Sequence, residues 1–391
     1  MKLSLFSYVV SLLCLLCLTS CNPDAQNASV SDNASEIEKV YFEDYDSPKH
    51  KWGFIDTDGQ VIVKPKYDDL KDYVSGRCAA NLGGRWGYLG EKGDMVIDAV
   101  YKQAYDFSED GYSVVQDFNN IWLLIDKQGK IISDISYSNI SKIEHGYMVV
   151  SNGGLKGILN VNGEEIVKPS FSAITLISDK FFIGKQNTLS AIFDNNGIKV
   201  SQDYDKIYLP KSGYLRARKE GLYYFLDNET FQAVNKEGYI KALDFNGDYA
   251  VIQQASQFLI LNQKLEVIKL LDYKDVRNAG EGYWKYKRDK NWGLLSPNGA
   301  TVTPASYEFL NRFSNNRIAY SNNSRWGYLN KSGESVIGGN LALVWDFHDG
   351  RARMIGNRGV GFIDTSGVMV IKDRFFEVRE FYNGMSRFQT F

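Results

Sequence analysis

The sequence predicts an all-β protein: a tandem array of about ten units, each of 34 residues and three short antiparallel strands. Three observations carry this. A short motif recurs at a nearly fixed step: the central residue of "WGFID", Gly53, has counterparts at Gly87, Leu123, Gly157, Ala191, Tyr224, Leu259, Gly293, Gly327 and Gly361, spaced 33 to 36 residues apart. A second glycine follows six residues later in eight of the ten units, at Gly59, Gly93, Gly129, Gly163, Gly197, Gly299, Gly333 and Gly367. The composition agrees, since 25 Tyr and 22 Phe beside 35 Gly and only 7 Pro favour strands punctuated by turns over helices.

Each element of the unit has a local cause. Runs such as "KWGFID" and "QVIVKPKY" are short, aromatic and β-branched, with consecutive apolar positions, as expected of strands covered on both faces. Between them stand "DTDG", "DKQG", "DNNG" and "DTSG". Here the leading Asp can accept from turn amides and the glycine can take positive φ, so hairpin turns are expected. Pro65, Pro169 and Pro304 fall near the end of the second strand, where a missing amide hydrogen costs least. A third glycine, for example Gly76, Gly111, Gly146 or Gly350, lies 22 to 24 residues beyond the first landmark and precedes a third strand such as "GRCAANL" or "GYSVVQD". So small a unit can bury its apolar faces only by stacking on its neighbours.

The chain resembles the WG-repeat family, whose tandem units run Lys-Trp-Gly-Tyr/Phe-Ile-Asp, a glycine turn, Val-Ile-x-Pro-x-Tyr-Asp, Phe-x-x-Gly and Ala-x-Val. The resemblance covers residues 37–391 and is strongest over residues 51–68, 85–88, 291–307, 325–328 and 360–364. It implies a β-repeat array, often secreted or surface-attached, with no enzymatic activity common to its members. The fourth to seventh units depart from the pattern: Trp is replaced by Lys156, Ser190, Tyr223 and Phe258, and in three of the four the glycine is replaced as well. Both an open or superhelical array and a propeller-like ring fit. Three strands make a thin blade, ten units exceed the usual ring, and the strand-like stretches "EKVYFEDYD" and "GMSRFQTF" resemble end caps, so an open array is the favoured expectation.

Residues 1–20 read as a signal peptide: Lys2, then an apolar run over residues 3–18. Leu18-Thr19-Ser20-Cys21 resembles a bacterial lipobox, which implies cleavage before Cys21 and lipidation of that residue. Attachment to membrane through the N-terminal lipid follows, since two or more acyl chains hold a protein where one is marginal. Asn22 in place of Asp favours the outer membrane by the same resemblance. Residues 21–36, rich in Asn, Ser, Asp and Ala, form a flexible tether to the array at 37–391. With Cys14 and Cys17 lost and Cys21 lipidated, Cys78 is the one remaining thiol, expected as a small buried residue.

The charge balance, 45 basic against 47 acidic residues, argues against nucleic acid as a partner. His50, His145 and His348 stand far apart at different phases, which speaks against a shared metal or catalytic site. The recurrent Asp56, Asp126, Asp194 and Asp364 are expected as turn formers, and no cofactor is called for. Trp52, Trp86, Trp122, Trp292 and Trp326 share one phase and should form the core between units. Trp284 and Trp345 fall off that phase, and Trp284 and Tyr286 sit in the basic stretch of Lys285, Lys287, Arg288 and Lys290. Trp284, Tyr286 and Trp345 are therefore the candidate binding surface, although packing competes with it as their role. The function expected is a non-enzymatic envelope lipoprotein whose repeats bind a partner protein, with a glycan or cell-wall binding module using aromatic side chains as the alternative.

Overall fold

The structure, a computed structural model, describes residues 50–209 and 212–391. The segments expected as signal peptide and tether, Cys21 and the "EKVYFEDYD" stretch lie outside these residues.

The described chain folds into ten small antiparallel sheets arranged in a ring, seven of four strands and three of three. Blade 2 shows the plan. Strand A is Asp69–Leu70, strand B Cys78–Leu82, strand C Arg85–Leu89 and strand D Met95–Tyr101, hydrogen-bonded in that order. Strands C and D are the first and second strands of one sequence unit, whereas A and B are the tail of the unit before it. Every blade therefore straddles two repeats. An A strand, two residues long in five of the seven four-stranded blades and six in blades 8 and 9, supplies the fourth strand that sequence reasoning missed; Asp69–Leu70 follows Tyr67 so closely that it reads as the end of the preceding strand.

This offset closes the ring. Blade 1 takes strand C (Trp52–Asp56) and D (Val61–Tyr67) from the start of the described chain and A (Glu377–Val378) and B (Met385–Gln389) from its end. Trp52 pairs with Gln389 and Phe54 with Arg387 in unbroken register. The final "GMSRFQTF" is thus not a cap: it meets the first "WGFID", and the open array is corrected to a propeller-like ring. Contacts between blades repeat across the closure. The Arg77 guanidinium donates to Lys127 O at 3.0 Å and Arg317 to Thr365 O at 3.0 Å, each reaching a hairpin turn of the following blade. Arg351 makes the same contact with Thr57 O at 3.4 Å, linking the last blade to the first.

Strands B and C bury both faces, as in Cys78–Ala80 and Gly87–Leu89, while D alternates. The turn aspartates act as expected. Asp126 Oδ1 accepts from the amides of Gln128 and Lys130, both at 2.9 Å, and Asp56, Asp194 and Asp364 repeat the pattern. Trp52, Trp122 and Trp292 are buried and Trp86 and Trp326 half-buried, so the tryptophan phase is core. Cys78 is buried, its Sγ 3.1 Å from Lys71 O, and burial pushes its thiol well above the ordinary range. A nucleophilic thiolate is disfavoured there.

The glycine of the Trp-Gly pair has a specific cause. In blade 2, Trp86 pairs with Tyr101 but Tyr88 with Ile97, so strand D spends four residues where strand C spends two. The excursion carries D across the face of Gly87, where a Cβ would lie 2.4 Å from Ile97 O. All six units with glycine at this position have a seven-residue D strand and this double irregularity. The four without it, at Leu123, Ala191, Tyr224 and Leu259, have a five-residue D strand or only isolated bridges in its place. Pro65, Pro169 and Pro304 sit inside the excursion, where the displaced backbone has no ladder bond to lose.

Candidate functional site

The off-phase aromatics do not form an exposed platform. Trp284 is wholly buried and donates its indole N–H to Pro297 O at 3.0 Å. Tyr286 is 4% exposed and its hydroxyl donates to Thr303 O at 3.2 Å. Both alternate with charged residues along strand B of blade 8 (Tyr283–Arg288), so they face the apolar seam with blade 7, beside Val251 and Ile260, while Lys285 and Lys287 face the seam with blade 9. Trp345, in the short A segment of blade 10, is half-buried under the Arg353 guanidinium, 4.7 Å from its ring centroid. The three residues lie in two different blades and make no common surface.

The seams carry the chemistry instead. The third residue after a unit's third glycine (Asn316 takes its place in blade 9) points from strand B toward the next blade. In most blades it is small or apolar, as at Ala79, Val114, Val149 and Ala319, but in four it is basic: Arg216, Lys285, Arg353 and Arg387. Three of these meet a carboxylate just beyond strand A of the following blade. Arg216 pairs with Asp244 at 2.7 Å, Arg387 with Asp72 at 3.0 Å, and Arg353 with Glu380. Arg387 and Arg353 also donate to the backbone of that next strand A, at Leu70 O (2.6 Å) and Val378 O (3.0 Å). Two further acids at this position face alanine: Asp106 opposite Ala79 and Asp346 opposite Ala319. Burial raises the pKa of both, Lys71 opposing it at Asp106 and His348 at Asp346.

The fourth seam, between blades 8 and 9, breaks the pattern. Lys285 finds Arg312 where its counterparts find an acid. Its ammonium donates to Asn311 O at 3.1 Å and to Leu310 O, and no described carboxylate pairs with it. Arg277 stands directly opposite Lys285 across the A–B ladder. Arg277, Lys285 and Lys287 lie 4.9, 5.3 and 5.4 Å from the centroid of the one Trp292 ring. Burial, then Arg277 and Arg312, push the Lys285 ammonium down to about 8. Sequence reasoning noticed Lys285, Lys287 and Arg288 as a basic stretch but missed Arg277 and Arg312, which only the blade stacking brings to it. Among the described residues no three His, Cys, Asp or Glu side chains gather as a metal would require.

A second feature is the outer edge of strand D. In blade 7 that strand, Val267–Leu271, exposes Val267 (59%), Ile268 (46%) and Leu270 (51%) beside an unpaired backbone edge. Blade 3 repeats it at Ile131 and Ile132. These are the two blades that keep a D strand without the excursion, each with a single register irregularity in place of two.

Ten blades, each completed by the unit before it and closed by pairing the first strand with the last, define a propeller-like repeat protein. The chain belongs to the family of WG-containing repeat proteins: the family model matches residues 52–86, 86–122, 124–155, 292–326, 326–354 and 361–390, half of the chain in all. The unmatched interval from 156 to 291 holds the fourth to seventh units, in which Trp is replaced by Lys156, Ser190, Tyr223 and Phe258. No curated protein matches the chain. Among solved structures it is similar to a eukaryotic initiation factor (TM-score 0.42, 10% identity, 74% of this chain and 95% of that one). It is also similar to BamB from Moraxella catarrhalis (TM-score 0.30, 10% identity, 88% and 99%). A third likeness is to PorZ, a bacterial surface component of the type-IX secretion system of Porphyromonas gingivalis (TM-score 0.29, 10% identity, 81% and 55%).

Proposed function

We propose that this protein is a non-enzymatic scaffold, held to a bacterial envelope membrane by lipid on Cys21, that docks partner proteins along exposed blade edges. The observation that carries the reading is the strand Val267–Leu271, where three exposed aliphatic side chains flank a backbone edge with free donors and acceptors. Such an edge is a template for an added strand: the partner's main chain supplies hydrogen bonds, and alternate side chains supply specificity. The lipobox-like Leu18-Thr19-Ser20-Cys21 supports the anchor, with the outer membrane as the favoured address. The glycan alternative loses two of the aromatics that suggested it, because Trp284 and Tyr286 are buried.

The test uses the full chain in cells. A photo-cross-linking residue at Ile268 should yield a discrete protein adduct that Val267→Lys abolishes, while the same residue in the Asp364 turn yields none. Equal labelling from both positions would refute docking at this edge. Separately, Cys21→Ser should move the protein from membrane to soluble fractions, and unchanged fractionation would remove the anchor.

A further inference from the structure

We propose that the seam between blades 8 and 9 is an oxyanion-binding site, in which Lys285, Arg277 and Arg312 take a carboxylate or phosphate group in place of the acidic side chain that the other basic seams contain. The comparison inside the ring makes the argument. Arg216, Arg353 and Arg387 each meet an internal carboxylate: Asp244, Glu380 and Asp72. Lys285 occupies their position and meets a guanidinium. Arg277 faces Lys285 in register, and like charges directly opposite on a sheet are destabilising unless something lies between them.

Neither neighbouring acid binds the Lys285 ammonium directly. Asp275 takes the Nε and Nη2 donors of Arg277 at 3.0 and 2.7 Å, offsetting part of that charge and leaving the Nη1 donors for the seam. Asp346 acts on Lys285 through space, but its Oδ1 accepts from Asn311 Nδ2 at 2.7 Å. Arg312 Nη2 donates to Asn278 Oδ1 at 3.0 Å, a neutral partner that fixes the side chain; Asp346 acts on Arg312 through space, but no described carboxylate makes an ion pair with it.

Access and shape fit a small anion or an anionic group on a larger molecule. Arg277 and Arg312 are exposed and Lys285 is half-buried between them. The Trp292 ring forms the floor under Arg277, Lys285 and Lys287, and Phe309, 47% exposed, lies 5.9 Å from the Lys285 ammonium. Two guanidiniums with forked donors and one ammonium acting as a point charge are the usual equipment for oxyanions. The site is independent of docking at the Val267–Leu271 edge, which lies in another blade.

The full chain is titrated with sodium phosphate and with sodium acetate against sodium chloride at equal ionic strength, followed by calorimetry and thermal unfolding. Phosphate or acetate should bind and raise Tm beyond chloride, and which of them does so separates the two sources of the oxyanion. Arg312→Asp supplies the seam with the carboxylate its counterparts have. It should weaken that binding by about tenfold or more, the worth of roughly one charge-assisted hydrogen bond, while holding or raising Tm without anion. Anion effects no larger than those of chloride, or undiminished binding by Arg312→Asp, overturn the site. If that variant does not fold, the wild-type protein decides by NMR of reductively methylated lysines. The Lys285 resonance should move with phosphate or acetate and not with chloride, and a resonance that stays still refutes the proposal.

Discussion

Blades 2 and 9 match the repeat closely, whereas blade 7 is worn, and the difference shows what the Trp-Gly signature is for. In the matched blades strand D bulges across the C strand, and glycine is the residue that leaves room: a Cβ at Gly327 would lie 2.6 Å from Ile337 O. In blade 7, Leu259 occupies the same place, strand D pairs with a single irregularity, and Leu259 stands opposite Leu270 in plain register. Losing the glycine and losing the excursion are one event. The worn blade keeps its place in the ring through its A, B and C strands, and its strand D, laid without the excursion, still contributes Leu271 to the core shared with Val276 and Trp284 of blade 8.

Exchanging the two residues is the most forceful test of this reading. Gly327→Leu should cost about 3 kcal/mol in chemical denaturation, since the obstructing atom is backbone and the bulged strand must shift. Leu259→Gly in the worn blade should cost about 2 kcal/mol, from lost packing and added backbone freedom. Equal and small losses at both sites would show that the excursion does not set the glycine requirement.

The turn comes next in size. Asp364 holds the amides of Ser366 and Val368, and its carboxyl is depressed overall: burial raises it, but the Ser366 hydroxyl and those amides outweigh burial. Its contribution is therefore present above the unfolded carboxylate range and fades as pH falls through the lower folded value. Asp364→Ala should cost about 1 kcal/mol at neutral pH and much less in acid, as read by urea unfolding at the two pH values. Blade 7 offers the contrast again. Its turn is led by Asn262, whose Oδ1 accepts from the Lys264 and Glu266 amides at 2.9 Å and does not titrate, so Asn262→Ala should lack the pH dependence of a turn acceptor, and any that remains follows the Glu266 carboxylate to which its Nδ2 donates at 2.7 Å.

Much of this was legible in the sequence. The 34-residue step, the hairpin turns and the tryptophan phase are local properties, fixed by residues a few positions apart. Ring closure was not, because Trp52 and Gln389 are neighbours only in space and a terminal strand has the same sequence whether it caps an array or completes the first blade. The A strands were missed because most follow strand D within a few residues and five of them are only two residues long, too short to carry a periodicity. Trp284 was misplaced by its basic surroundings: on a strand, alternation puts a charged neighbour on the opposite face, so half of "YWKYKR" faces the apolar seam with blade 7 and half the seam with blade 9. Arg312 joined Lys285 only through stacking of blades 8 and 9, a contact that no spacing within one unit encodes.

The smallest expected effect separates the seams. Arg216, Arg353 and Arg387 have carboxylate partners, so their charge is compensated in the fold. Lys285 has none, and burial together with Arg277 and Arg312 lowers its ammonium from 10.5 to about 8. The folded state therefore releases this proton more readily than the unfolded chain does. The penalty for holding the charge is fully present below about pH 8 and shrinks as pH rises toward the ordinary lysine value, so this group makes stability increase across that window. Unfolding free energies measured at steps from pH 7 to 10 should show that rise in the wild-type protein. Lys285→Met should flatten it, and Arg312→Asp should flatten it in part by giving the ammonium the counter-charge found in the other three seams. If both variants keep the wild-type slope, the ammonium is not strained in the fold and the contrast between the seams is one of geometry alone.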